Sequence, residues 1–323
     1  MALKPRNTQK LLSSELSVLL IVLVVVFLIG AIAHGSHFLN GTNFSNILRS
    51  GSVVGILGLG ATCVILVGEF DLSVGSVMAF SAVAGASFIS QTGLEISGII
   101  LTILIGAGAG LINGLLVTKG KIKSLMATLG MMTLLSGCAE WISKGLPIYL
   151  YDFEIYMGIG KNRIFGIPEP LFFFAVIAIV LGIIYSATVV GKKIYYTGAN
   201  SRAAHLCGIN TDKFKIMGFM LSGACAAMSV IILCAMNSHA VNTIATGQEM
   251  TGIAVAVLGG TMLGGGRGNI IGTIVGALIY QMVLNVLALS GLGTYAEQTL
   301  KGLIVIVVVV IYQVINERRR RSR

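Results

Sequence analysis

An all-α, polytopic bundle of transmembrane helices is the fold class this sequence predicts, and three observations predict it. Hydrophobic residues make up 55% of the 323, and charged residues only 11%, less than half the roughly 25% of a soluble domain. Apolar runs recur along the whole chain, many of them near the about 20 residues that one helical crossing requires. Lys and Arg gather between alternate runs, the pattern that orients membrane helices. With a mean hydropathy of +0.93, these observations exclude a soluble enzyme, a disordered chain and a disulfide scaffold.

The runs cover residues 16–33, 52–67, 72–90, 94–117, 125–142, 171–190, 214–236, 250–263, 270–289 and 300–315. About ten crossings are therefore expected, in one transmembrane domain at 16–315 with a tail at 1–15 and a basic tail at 316–323. The first run follows Lys4, Arg6 and Lys10. It is too long for a signal peptide, lacks a small-residue cleavage site and is followed by further spans. If the N-terminus is cytoplasmic, an even number of spans returns the C-terminus to the same side. Seventeen of the 22 Lys and Arg then lie inside, including Lys119, Lys121, Lys123, Lys192, Lys193, Arg202, Lys213, Lys215, Arg267 and the Arg318–Arg323 cluster. Arg49, Lys144, Lys161, Arg163 and Lys301 remain outside. The polar stretch at 143–169 becomes an external loop, and 191–213 a cytoplasmic one.

The net charge of +10 is thus a matter of membrane orientation, and nucleic acid is not an expected partner. Cys63, Cys138, Cys207, Cys225 and Cys234 form no CxxC pair, and most lie in apolar runs where cysteine packs as a small hydrophobe. His34 and His37 lack a third ligand nearby. No metal site and no cofactor are expected. The chain has no GxxxxGK[ST], HExxH or GxSxG pattern, so no catalytic role is assigned. Any energy for uphill transport must come from an ion gradient or another subunit.

Glycine, with 42 residues, lets helix backbones approach closely in a bilayer. Gly106, Gly108 and Gly110, and the GxxxG pair Gly272 and Gly276, fit that use. Gly68, Glu69, Asp71 and Gly75 mark a helix break between two apolar runs. A carboxylate at membrane depth is costly and is commonly functional or paired. Asp71 has a structural reading, as a cap accepting from the Ser73 or Val74 amide. It also has two functional ones, a place in substrate passage or in proton coupling.

The segment Asn200-Ser201-Arg202-Ala203-Ala204-His205-Leu206-Cys207-Gly208-Ile209-Asn210 reads as a short helix, capped by Asn200 or Ser201 and closed by Gly208. Two turns are unstable alone in water. This helix needs a surface, whether headgroups, the rest of the chain or a partner protein. The glycine-rich 258–269 segment reads as a tight turn between packed helices. Asn113, Thr128, Glu140, Glu249, Gln281 and Asn285 are intramembrane polar groups that either bond between helices or line a polar path.

Taken in order, several segments resemble one family. They are Asp71-Leu72-Ser73-Val74-Gly75-Ser76, Ala127-Thr128-Leu129-Gly130, the Asn200–Asn210 loop, Gly259-Gly260-Thr261 with Gly264-Gly265 and Gly268, Gly272-Thr273 with Gly276-Ala277, and Lys301-Gly302. From about Phe44 onward the chain is similar to the membrane permeases of ribose-type ATP-binding cassette sugar importers. It departs from many relatives at Glu69-Phe70 and at Thr251-Gly252-Ile253-Ala254.

The resemblance implies a permease that pairs with a second permease chain, identical or paralogous. Two cytoplasmic ATPase subunits sit below and an extracytoplasmic sugar-binding protein delivers a small sugar or sugar-like solute from outside. It places the chain in the bacterial cytoplasmic membrane as a multi-pass protein that is not itself an enzyme. The loop residues Asn200, Ser201, Arg202, Ala203, Ala204, Gly208, Ile209 and Asn210 correspond to a coupling helix for the ATPase. Substrate-path candidates are Asp71, Ser73, Asn113, Thr128, Gln281 and Asn285. The alternative is a proton-coupled secondary transporter using Glu69 and Asp71.

Overall fold

The computed structural model describes residues 8–291, 299, 302 and 303, with side chains from residue 16 onward. The run at 300–315, apart from residues 302 and 303, and the basic residues of both tails lie outside the described side chains. In chain order the helices are α1 (Thr8–His34), α2 (Gly41–Leu66), α3 (Val74–Thr92), α4 (Glu95–Thr118), α5 (Ser124–Ser143), α6 (Glu154–Lys161), α7 (Glu169–Ala187), α8 (Val189–Ala199), α9 (Ser201–Leu206), α10 (Thr211–Asn237), α11 (Gln248–Leu258) and α12 (Ile270–Leu289). Four two-residue strands, β1 (Ile148–Tyr149), β2 (Arg163–Ile164), β3 (Ile167–Pro168) and β4 (His239–Ala240), make two small antiparallel pairs. Ile148 pairs with Ala240, and Ile164 with Ile167.

Among the described residues eight helices are long and apolar enough to cross a membrane. They are α1 from Leu16 onward, α2, α3, α4, α5, α7, α10 and α12. The run at 250–263 gives only the 11-residue α11, because the chain turns at Gly259 and Gly260. At 1.5 Å per residue α11 is roughly 16 Å long, about half a hydrocarbon core.

The run starting at residue 52 extends back to Gly41. Asn40 caps α2 by accepting from the Thr42 amide at 3.0 Å. Asn43 exchanges amide hydrogen bonds of 3.0 and 2.8 Å with Asn285 of α12. Polar residues that read as loop are thus satisfied inside the helix pack. The run at 171–190 is cut at Thr188, whose extended backbone ends α7 and whose hydroxyl caps α8 by accepting from Gly191.

Two long helices form the axis. α2 is buried over most of its length, while in the described part of α1 only Gly30 is fully buried, as expected of a flanking helix facing lipid. α10 crosses α4 along a seam of small residues. A methyl group at Gly106 or Gly110 would strike the backbone of Gly223 or Phe219, and Gly223 presses back on Gly106. Such contact lets dispersion forces act over the whole crossing, where lipid supplies no hydrophobic drive between helices. Gly272 and Gly276 do the same for α12 against Gly259 after α11. Thr62 and Thr273 share a 2.9 Å hydroxyl bond that joins α2 to α12.

Candidate transport site and coupling helix

The break after α2 is a Schellman motif. The Gly68 amide donates to Ile65 and the Glu69 amide to Val64, with Gly68 at φ +83°, a backbone conformation that favours glycine. The chain then turns back into the bundle. Asp71, only 6% exposed, reaches Ser222, three turns into α10. Its Oδ1 accepts from the Ser73 amide at 3.0 Å and the Ser73 hydroxyl at 2.6 Å, and its Oδ2 from Ser222 at 3.3 Å. The Ser73 oxygen in turn accepts from Asn113 Nδ2 of α4 at 2.8 Å. The Ser73 amide is thus one of Asp71's donors, as the capping reading expected, although the residue at the N-cap position is Ser73 itself.

This cluster unites Asp71, Ser73 and Asn113 and ties α3, α4 and α10 at one level. Asn113 is fully buried and its Oδ1 has no hydrogen-bond partner. Thr128 stands on α5 and donates to Ser124, one turn back. Ser124 Oγ accepts from the Phe70 amide at 3.4 Å, so α5 also touches the break. Gly75 lies inside the first turn of α3, where an added Cβ would meet the Glu249 carboxylate and the Ala245 carbonyl.

Glu69 forms a 2.6 Å ion pair with Lys215, both side chains mostly shielded from solvent. Lys215 reads in the sequence only as one of several loop cations, and Ser222 as one small polar residue in an apolar helix. Neither carries a signal that names its partner. Gly198, Leu66 and Gly266 meet below the break. The Gly266 amide donates to the Leu66 carbonyl at 3.0 Å, and a methyl group on Gly198 would strike that same carbonyl. Backbone from α8, the end of α2 and the turn after α11 is thereby pressed into one junction.

α9 hangs from this junction. Asn200 Oδ1 accepts from the Ala203 amide at 3.0 Å. At the other end a second Schellman pair forms, Gly208 donating to His205 and Ile209 to Ala204, with Gly208 at φ +79°. Asn210 then caps α10 through the Lys213 amide. Ala204 faces inward, while Arg202, Ala203 and His205 are exposed and Leu206 is 82% exposed. The short helix therefore packs one face on its own chain and leaves another open. Ser201 and Ile209 are half-buried at its two ends.

Gln281 and Asn285 lie elsewhere, on α12. Asn285 is paired with Asn43 as described. Gln281 lines a cavity of about 190 Å³ between α2, α10, α11 and α12, together with Ser50, Gln248, Thr251 and Tyr280. The six path candidates therefore fall into two groups, one at the break and one toward the far end of α2.

Known proteins are similar in sequence and in fold. The family model described as branched-chain amino acid transport system / permease component matches residues 43–311. The ribose import permease RbsC of Escherichia coli K12 is 34% identical, covering 89% of this chain and 90% of its own length. The autoinducer 2 import system permease LsrC of Yersinia enterocolitica is 33% identical over 90% of this chain and 80% of its own. The L-arabinose ABC transporter permease AraH of Azospirillum brasilense is 31% identical over 88% and 83%. A solved inward-facing metal-chelate type ABC transporter matches with a TM-score of 0.56 and 16% identity, over 93% of this chain and 97% of that one, a likeness of fold. A family match over most of the length, joined to relatives above 30% identity across nine-tenths of the chain, establishes that this protein belongs to the permease family of ribose-type ATP-binding cassette importers.

Proposed function

We propose that this chain forms the translocation path for a small neutral sugar or sugar-like solute in the cytoplasmic membrane. Two permease chains pair, two ATPase subunits bind at the α9 end, and a sugar-binding protein docks at the opposite end. The permease domain runs over 16–315, with an external loop at 143–169 and the coupling loop at 191–213. ATP binding and hydrolysis on the partner subunits move α9, and the chain itself makes no covalent change to the solute. Asp71, Ser73, Asn113 and Thr128 hold the break beside the path, and Gln281 and Asn285 border it farther from α9.

The observation that carries this reading is α9. It is too short to persist alone, closed by hydrogen bonds at both ends, and packed on α8 and α10 with Arg202 and Leu206 exposed. A proton relay is not favoured, because Glu69 is ion-paired with Lys215 and Asp71 accepts three hydrogen bonds. Purification from the native membrane in mild detergent tests the proposal. ATPase subunits with vanadate-sensitive ATP hydrolysis should accompany the chain. A stable chain without them, where a control cassette transporter keeps its own, overturns it.

A further inference from the structure

We infer that the β2–β3 hairpin is an anchor in the outer lipid interface, seating Phe165 among phospholipid headgroups and the first acyl carbons beside the outer end of α7. The inference goes beyond the importer reading and does not depend on it.

The hairpin tip departs from ordinary turn chemistry. Phe165 and Gly166 join β2 to β3 with φ of +52° and +81°. A two-residue hairpin turn with both residues at positive φ ordinarily takes Asn-Gly, and a bulky side chain there is an outlier. Phe165 is 98% exposed, so no contact within the chain accounts for an aromatic ring at this place. Backbone strain beneath an uncovered apolar ring points to a partner outside the chain.

The hairpin has two unlike faces. Arg163 pairs with Pro168, and Ile164 with Ile167, so each pair shares one face of the ribbon. Pro168 is buried where β3 packs on α2 and α7, whereas Ile164 and Ile167 are exposed. The face turned away from the bundle is therefore apolar, with Phe165 at its tip. Its root is fixed. Arg49 Nη2 donates to the Lys161 carbonyl at 3.2 Å, and the Glu169 amide donates to the Asn162 carbonyl at 3.1 Å.

Lipid is the occupant that the surroundings select. α7 has 19 residues, about 28 Å of helix, which fills a hydrocarbon core. Gly166 precedes its first residue by three positions, about 10 Å of extended chain, so the tip stays within reach of the headgroup layer. Every exposed residue from Glu169 to Tyr185 is apolar, namely Phe172, Ala175, Val176, Ile179, Val180 and Ile183. α5, by contrast, exposes Thr133, Ser136 and Glu140. The hairpin thus leads straight into a helix whose open side suits acyl chains. Arg163 is exposed and belongs to no ion pair among the described residues, and a guanidinium fits the oxygens of a phosphate. An apolar tip with a flanking cation is the composition of a segment that lies in a membrane interface. α7 continues through α8 to α9, so an outer end held in lipid gives the α9 end a fixed point to move against.

Tryptophan fluorescence of the full chain in vesicles tests this. The single tryptophan, Trp141, is changed to phenylalanine, and Phe165→Trp then reports the tip alone. Both positions are exposed, so the core is undisturbed. The vesicles are phosphatidylcholine with a minor share of phosphatidylglycerol, with or without bromine on the acyl carbons nearest the headgroup. Bromine should lower the emission about twofold or more, as expected of a ring at the headgroup–acyl boundary. Aqueous iodide should quench it far less than it quenches free tryptophan amide. Quenching by iodide as in the free amide, without quenching by bromine, leaves the tip in water and overturns the inference. Quenching by neither puts the tip against protein and overturns it as well. If the substituted chain is not monodisperse, Phe165→Cys carries a nitroxide in a chain whose Cys138 and Cys207 are serine, since the other three cysteines are buried. Collisions of that nitroxide with oxygen should exceed those with a water-soluble nickel chelate, and the reverse order overturns the inference. No arm requires ATP, the ATPase or a solute, so these results stand apart from the co-purification that judges the importer reading.

Discussion

The Asp71 cluster and the Gln281 cavity are both polar regions inside an apolar bundle, yet they treat their polar groups in opposite ways. Around Asp71, the carboxylate, two serine hydroxyls and the Asn113 amide nitrogen bond one another and fix three helices at one level, with the Asn113 Oδ1 left unpartnered. Around Gln281, amides and hydroxyls border open volume, and one carbonyl has no partner. A network whose members bond across three helices holds backbone in place, whereas polar groups that border open volume keep hydrogen-bonding capacity for a guest. Burial alone does not separate these roles, nor does a single unpartnered carbonyl, and the open volume beside Gln281 does.

The sharpest way to break the comparison is to empty the cluster. Asp71→Ala removes three acceptor contacts and strands the Ser73 amide and two hydroxyls, each worth about 1–3 kcal/mol when buried and unpaired. The expected result is a large loss of thermal stability in detergent, seen as a lowered melting temperature or loss of the monodisperse peak. Asp71→Asn keeps the Oδ1 acceptor and should retain much of that stability. Equal loss in both would mean that the charge itself is required.

A comparable effect of another kind is expected at α9. Ala204→Pro deletes the amide that donates to Asn200 at 2.9 Å, and proline at such a position costs about 3 kcal/mol. ATPase subunits should be lost on purification while the chain stays folded and monodisperse, since the cost falls on local unfolding of α9 and not on the bundle. Retained assembly and coupling would remove α9 from its assigned role.

Gln281→Leu comes next. Because Gln281 borders open volume, its removal should shift stability by no more than about 0.5 kcal/mol while lowering uptake at least tenfold. A fall in melting temperature as large as that of Asp71→Ala would make the two regions alike. The smallest effect belongs to Glu69→Gln. The ion pair with Lys215 is mostly shielded yet lies near the bundle end, and loss of such a pair is expected to cost about 1 kcal/mol, with uptake retained.

Much of the bundle was legible because apolar run length reports crossing length directly. The run at 270–289 coincides with α12, and 125–142 with α5 to within a residue at each end. The short helix α9 was legible because caps are local: Asn200 and Gly208 act within four residues of where they stand. What failed to show was anything that depends on distant partners. The first turns of α2 read as loop because Asn43 is polar, and its side chain is satisfied inside the bundle by the Phe38 carbonyl and by Asn285, 242 residues away. Asp71 could be suspected, but Ser222 and Lys215 could not be matched to their acids without the fold. The cavity was invisible for the same reason. Gln281 stood among the intramembrane polar residues, while Ser50, Gln248 and Tyr280 gained significance only when four helices brought them together.

The central claim is that the two acids at the break are structural and that the drive arrives from outside the chain at α9. Uptake by right-side-out vesicles, comparing the wild-type transporter with a Glu69→Gln, Asp71→Asn double variant, tests it most directly. The measurement uses whichever neutral pentose or hexose the wild type accumulates. The account predicts vanadate-sensitive uptake that survives an uncoupler in both proteins, with the double variant within about threefold of wild type. Wild-type uptake that an uncoupler abolishes, and that the double variant lacks, would contradict it.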